Sequence, residues 1–170
     1  MRPRCISLWL IAILCAACVN QHGEPASPPL VVEIIDGDTI VVDFPGHESE
    51  QVRLLGIDTP ETVDPTRPVQ CFGAEATAHL AALIPPGSAI YLERDLESRD
   101  RFGRVLAYVF REDGMFINAE LLRNGFADLS IYEPNSAYAV DLRSALLTAQ
   151  TQGHGLWSAC GGPDVPLDPP

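Results

Sequence analysis

Two carboxylates flank a glycine at Asp36-Gly37-Asp38-Thr39. Placed between two β-rich runs, they can converge on a hard cation, which prefers oxygen ligands. The same residues also spell a β-turn, for which Asp-Gly is a strong cue. An EF-hand loop is excluded, because the later ligand positions and the closing glutamate are missing. The segment Gln51-Val52-Arg53-Leu54-Leu55-Gly56-Ile57-Asp58-Thr59-Pro60-Glu61-Thr62 sets an arginine inside an apolar run. An unpaired charge is costly to bury there, so Arg53 needs an anion, from the protein or from a substrate. Asp58 and Glu61 follow around Pro60, which fixes its own φ and biases Thr59 toward an extended conformation with its carbonyl aimed in a defined direction. One of these carboxylates can bind metal while the other handles a proton. A third segment, Arg99-Asp100-Arg101-Phe102-Gly103-Arg104, offers planar guanidinium forks suited to phosphate oxygens. Its other reading is a charged loop whose Arg-Asp pairs neutralise each other.

The elements around these segments read first as strands. Residues 31–35 and 39–44 are rich in β-branched side chains, with Pro45-Gly46-His47-Glu48 as a turn, and 51–57 follows as a third run. Residues 73–84 carry Ala74, Leu80, Ala81 and Ile84 at helical spacing, stopped by Pro85-Pro86-Gly87. Residues 89–94 and 105–110 read as two more strands, the second turned by Glu112-Asp113-Gly114. A short amphipathic helix over 116–124 ends at Gly125. The last helix covers about 136–152, with Asn135 or Ser136 as N-cap and Gly153 as stop. The class is mainly β with added helices, and the natural candidate is an OB-type, five-stranded Greek-key barrel carrying three helices.

A chain of 170 residues suits one domain with a real core. It holds eleven arginines, no lysine and 23 acidic residues, for a formal charge of −12. That balance excludes capture of nucleic acid or an anionic membrane by a broad positive surface, so an anionic substrate must be held by a few placed arginines. Glu93, Asp95, Glu97 and Asp100 read as a solvated acidic rim. The four histidines, His22, His47, His79 and His154, lack metal-ligand spacing.

Arg2 and Arg4 precede an apolar run over 6–17 that is too short for a permanent span and reads as an export signal over residues 1–17. The run ends Leu14-Cys15-Ala16-Ala17-Cys18, which resembles a bacterial lipoprotein box with Cys18 as the acylated residue; ordinary cleavage after Ala17 would cut the same bond. Loss of Arg2 and Arg4 takes the formal charge from −12 to −14. Residues 18–30 read as a tether, 31–160 as the folded domain, and 161–170, with four prolines, as a loose tail. Cys5 and Cys15 leave with the signal. Cys71 and Cys160 remain as an even pair in a disulfide-permissive compartment, either bridged or as two buried thiols. A bridge would add about 4 kcal/mol by the chain-entropy argument.

Asp36-Gly37-Asp38-Thr39, then Val52 to Thr62, then Asp100-Arg101-Phe102-Gly103-Arg104-x-Leu106-Ala107-Tyr108-Val109 resembles the staphylococcal nuclease (thermonuclease) family in order and spacing. The likeness runs from Val31 to Trp157 and takes in Phe72-Gly73-x-Glu75-Ala76 and Gly155-Leu156-Trp157. It implies an OB barrel with three helices and Ca²⁺-dependent hydrolysis of DNA and RNA phosphodiesters, leaving 3′-phosphate and 5′-hydroxyl ends. By the same resemblance, Asp38 and Asp58 give carboxylate ligands to calcium and Thr59 gives a backbone carbonyl. Arg53 and Arg104 grip the scissile phosphate, Glu61 is general base on the attacking water, and Tyr132 is a base-stacking aromatic. Phe102 stands where family members often have tyrosine, so a phenolic hydroxyl to the phosphate is missing, and Ser130 stands where a companion to the stacking aromatic is expected. The grip on nucleotide is therefore expected to be weaker, since stacking is worth ~1–3 kcal/mol per base. Two other readings are a non-catalytic OB-fold module that binds nucleic acid or protein, and a structural envelope lipoprotein. The presence of Arg53, Glu61 and Arg104 together favours the enzyme. The expected partners are DNA and RNA as substrates, a membrane only through lipid on Cys18, and no second copy, the protein acting as a monomer.

Overall fold

A computed structural model describes residues 27–66 and 68–167. The expected export signal, Cys18 and the tether through residue 26 lie outside the described residues. The elements run β1 (Leu30–Ile34), β2 (Thr39–Asp43), β3 (Glu50–Leu54), β4 (Gly56–Asp58), α1 (Gly73–Leu83), β5 (Ile90–Glu93), β6 (Val105–Arg111), α2 (Ile117–Arg123), β7 (Asp128–Ser130), α3 (Ala139–Gln152) and α4 (Leu156–Ala159). The main sheet has the order β1-β2-β3-β6-β5, antiparallel except where β3 runs parallel to β6. Its two edges meet. Leu30 bridges Ala89, the Val31 N–H donates to the Ser88 carbonyl at 2.9 Å, and the Ile90 N–H donates to the Pro29 carbonyl at 3.1 Å. Closure removes the exposed strand edges and gives the expected five-stranded OB barrel.

The strand alternation explains what fills it. Ile40, Val42, Val52, Leu54, Ile90, Val105, Ala107 and Val109 all point inward and are buried. Each such aliphatic side chain of Val, Leu or Ile size contributes roughly 1.5–3 kcal/mol on burial. Arg53 lies between Val52 and Leu54 in β3, so it faces out of the barrel, in register with Thr39 of β2 and Leu106 of β6.

The expected third strand is broken in two. Gly56 takes φ +76, and a Cβ there would strike the Leu142 side chain of α3. Beyond that turn β4 leaves the barrel and pairs with β7, a strand too short to show in the sequence pattern. Buried Asn118 fixes the break: its Oδ1 accepts the Val109 N–H at 2.9 Å and its Nδ2 donates to the Leu55 carbonyl at 2.8 Å.

Three further differences concern the C-terminal half. α3 starts at Ala139 with Tyr138 at the N-cap and no side-chain cap, because the Asn135 amide is engaged elsewhere. The segment expected to be loose beyond Gly161 is tied down over residues 164–167. The Cys71 N–H donates to the Val165 carbonyl at 2.8 Å, the Leu167 N–H donates to Val69 at 2.9 Å, and Gln70 bridges Pro166. Cys71 and Cys160 form a disulfide with Cα atoms 6.0 Å apart. Trp157 sits in α4, a single turn that makes a fourth helix beside the three expected.

Candidate active site

Arg53 is the hub of the site. Its Nε lies 3.1 Å from Asp38 Oδ1 and its Nη2 lies 2.9 Å from Asp58 Oδ1. Nη1 donates to the carbonyls of Leu54 at 2.7 Å and Ile57 at 2.8 Å. The break at Gly56 is what turns those two carbonyls toward the guanidinium. One planar fork thus joins the barrel strand to β4 and bridges two carboxylates, a geometry a lysine cannot supply.

Arg104 enters from the loop before β6. Asp100 holds it with both carboxylate oxygens: Oδ2 accepts Nε at 2.7 Å and Oδ1 accepts the Arg104 N–H at 3.0 Å, while Oδ1 also accepts the Phe102 N–H at 2.9 Å. The neighbouring guanidinium keeps the Asp100 carboxyl below its usual range even though burial pushes the other way. Arg53 and Arg104 line one open cavity of about 550 Å³ together with Asp58, Asp100, Arg101, Phe102, Tyr132 and Asn135. Phe102 and Tyr132 stand out of its rim, 69% and 78% exposed. Arg101 lies over the Phe102 ring at 4.7 Å and Arg104 at 5.6 Å. Three guanidinium groups and two exposed rings around one hollow suit a phosphate with a base on either side.

Asp58 lines this cavity, and Asp38 stands behind it, joined to it through Arg53. Asp38 is buried at 5% exposure, and its Oδ2 accepts both the Thr59 N–H at 2.9 Å and the Thr59 hydroxyl at 3.1 Å. Asp36 accepts the Asp38 N–H at 3.0 Å, and burial with the adjacent Asp38 charge pushes its carboxyl up to about 6. Crowded acidic oxygens with no nitrogen or sulfur donor fit a hard divalent cation. Among the described residues no three such side chains stand already assembled as metal ligands, and Asp38 and Asp58 both pair with Arg53.

Glu61 is not brought to the cavity wall. Its Oε1 accepts the N–H groups of Thr62, Val63 and Asp64 at 2.8, 2.8 and 2.9 Å, folding the carboxylate onto its own loop. It follows Asp58 by three residues.

Asn135, read from the sequence as a helix cap, is instead a strut. Its Oδ1 accepts the Glu97 N–H at 2.8 Å and its Nδ2 donates to the Glu97 carbonyl at 3.0 Å. Asp95 helps: Oδ2 accepts the Tyr108 hydroxyl at 3.1 Å and the Ala137 N–H at 2.9 Å. Burial, with Asp95 adding to it, pushes the Tyr108 phenol up to about 12. The acidic rim therefore ties the Arg104 loop to the Tyr132 loop. No local spacing announces this, because both partners are 38 or more residues away in sequence.

A family model described as staphylococcal nuclease homologue matches residues 51–159. The thermonuclease of Staphylococcus intermedius is 41% identical over 128 residues, covering 75% of this chain and 74% of that one. The thermonuclease of Staphylococcus hyicus is 40% identical over 75% of this chain and 74% of its own length. Endonuclease YncB of Bacillus subtilis is 39% identical over 75% of this chain and 60% of its own. With the barrel, the paired arginines and these matches in agreement, the chain belongs to the staphylococcal nuclease family.

Proposed function

We propose that this member of the family is a calcium-dependent nuclease that hydrolyses DNA and RNA and leaves 3′-phosphate and 5′-hydroxyl ends. The observation that carries the reading is the cavity in which Arg53 and Arg104 converge beside the Asp38–Asp58 carboxylates. Attack on a phosphodiester builds negative charge on the phosphoryl oxygens, and two guanidinium groups already fixed in place favour that charge over the ground state. Asp38, Asp58 and the Thr59 carbonyl would hold the metal, with Asp36 beside them. When bound, calcium supplies polarisation of a phosphoryl oxygen. Arg53 hands part of its contact with the carboxylates over to the phosphate when substrate enters. Glu61 takes the proton of the attacking water, which requires its loop to present the carboxylate toward the cavity. Tyr132 and Phe102 hold the flanking bases by stacking.

Hydrolysis of heat-denatured DNA by the protein, with calcium and with a chelator, beside Glu61→Gln, tests the reading. Cutting that needs calcium and collapses in the variant supports it; a folded protein that never cuts with calcium overturns it.

The protein acts outside the cytoplasm as a monomer, with export directed by residues 1–17. The Cys71–Cys160 disulfide supports an oxidising compartment. Lipid on Cys18 is its membrane attachment, and mass spectrometry of the N-terminal peptide from the membrane fraction reads it directly.

A further inference from the structure

We propose that Gln70, held in turn by the C-terminal segment through Asp164, is a positioning residue for Glu61. The inference rests on the reading of Glu61 as the base.

Glu61 lies beyond the strand pairing that holds β4. β4 ends at Asp58, and the Glu61 carboxylate turns back to bind the N–H groups of the next three residues. Its direction is coupled through these bonds to the backbone at residues 61–64, so a group that fixes that backbone helps to aim the carboxylate. Gln70 does so from nine residues away. Its Oε1 accepts the Glu61 N–H at 2.6 Å, and its own N–H donates to the Glu61 carbonyl at 2.8 Å. The two polar groups of one peptide segment are thus claimed by a single residue that is 7% exposed. Gly73 lets the loop lie close, since a Cβ there would meet the Thr62 side chain and come within 2.8 Å of the Pro60 carbonyl.

Gln70 is itself clamped. Its Nε2 donates to Asp164 Oδ1 at 2.9 Å. On either side of it, Val69 and Cys71 exchange backbone hydrogen bonds with Leu167 and Val165, and Cys71 is covalently joined to Cys160. Gln70 and Asp164 also border a small hollow with Asp58 and Thr59, so the clamp abuts the carboxylate group of the site. The amide is the right chemistry. It accepts from Glu61 and donates to Asp164 at once, which neither a carboxylate nor a hydrocarbon can do.

Activity of the full chain with calcium on heat-denatured DNA is measured for Gln70→Ala, Gln70→Glu, Gln70→Glu/Asp164→Asn, Glu61→Gln and Glu61→Gln/Gln70→Ala. Gln70→Ala is expected to lower kcat by roughly tenfold with KM nearly unchanged, as misplacement of a reacting group does. Adding Gln70→Ala to Glu61→Gln should cost little more, because the amide acts through Glu61. Gln70→Glu sets two carboxylates against each other and should be slow, and Asp164→Asn should restore it by turning the donor round. If Gln70→Ala does not fold, Asp164→Ala is read in its place in both backgrounds. A Gln70→Ala enzyme with normal kcat beside an inactive Glu61→Gln overturns this inference alone, as does equal loss in both backgrounds. A fully active Glu61→Gln overturns the base reading and this one with it.

Discussion

Arg53 Nε and Asp38 Oδ1 meet at 3.1 Å on the outer side of the barrel wall, with the arginine side chain 16% exposed and the aspartate 8%. Arg104, by contrast, is paired with Asp100 nearer to solvent, at 27% and 17%. Arg53→Met should therefore cost stability as well as rate. It leaves Asp38 and the Leu54 and Ile57 carbonyls short of a donor, worth about 1–3 kcal/mol in a urea melt. Arg104→Met should cost about 1 kcal/mol or less, while both variants lose at least roughly a hundredfold in kcat/KM.

Calcium should raise the melting temperature of the protein, because a ligand that binds only the folded state stabilises it. Asp38→Asn should abolish that rise. A thermal melt at increasing calcium, with and without the substitution, reads the site without any substrate.

His79 stacks on Phe126 at 3.9 Å between centroids, and burial holds its imidazole below 6.5, with Glu120 nearby opposing the shift. The unfolded chain then takes up the proton first. The stabilising contribution is complete above pH 6.5 and is lost as pH falls through the lower folded value. His79→Phe should make the decline in stability between about pH 7 and pH 5 shallower in denaturant titrations.

The arginines are mostly spoken for. Arg99 pairs with Glu50, Arg111 with Asp113 and Arg123 with Glu120, and the chain has no lysine. Binding should therefore release few counterions. KM for single-stranded DNA should change with salt with a logarithmic slope of about 1–2, matching the cavity arginines Arg53, Arg104 and Arg101 at roughly 0.7 per phosphate. A high KM at every salt concentration goes with it.

Removing the bridge with Cys71→Ser/Cys160→Ser should lower stability by about 4 kcal/mol, since its loop separates residues 89 apart. Chemical denaturation of the oxidised protein and the double variant measures this.

The barrel was legible in the sequence because its strands are β-branched and its turns are marked by Gly and Pro. The arginines were legible because a charge in an apolar strand has few explanations. Gly56 hid the break in the third strand, since the apolar pattern runs on through it. β7 escaped because three residues show no period. Asn135, Asp95 and Gln70 escaped for a different reason. Each acts on a backbone group far off in sequence, and an amide or carboxylate used that way looks like any surface residue. Even Asp36 was visible as one of a pair, but its crowding by Asp38 is a property of the folded site.

The disulfide has a topological effect separate from stability. Arg53, Asp38 and Asp58 precede Cys71, whereas Arg104 and Tyr132 lie between Cys71 and Cys160. A single proteolytic nick anywhere in that span, at the exposed Phe102–Gly103 turn for instance, leaves both pieces in one covalent molecule. The halves of the cavity then come from two polypeptides that cannot diffuse apart, and a non-reducing gel would still run as a single species.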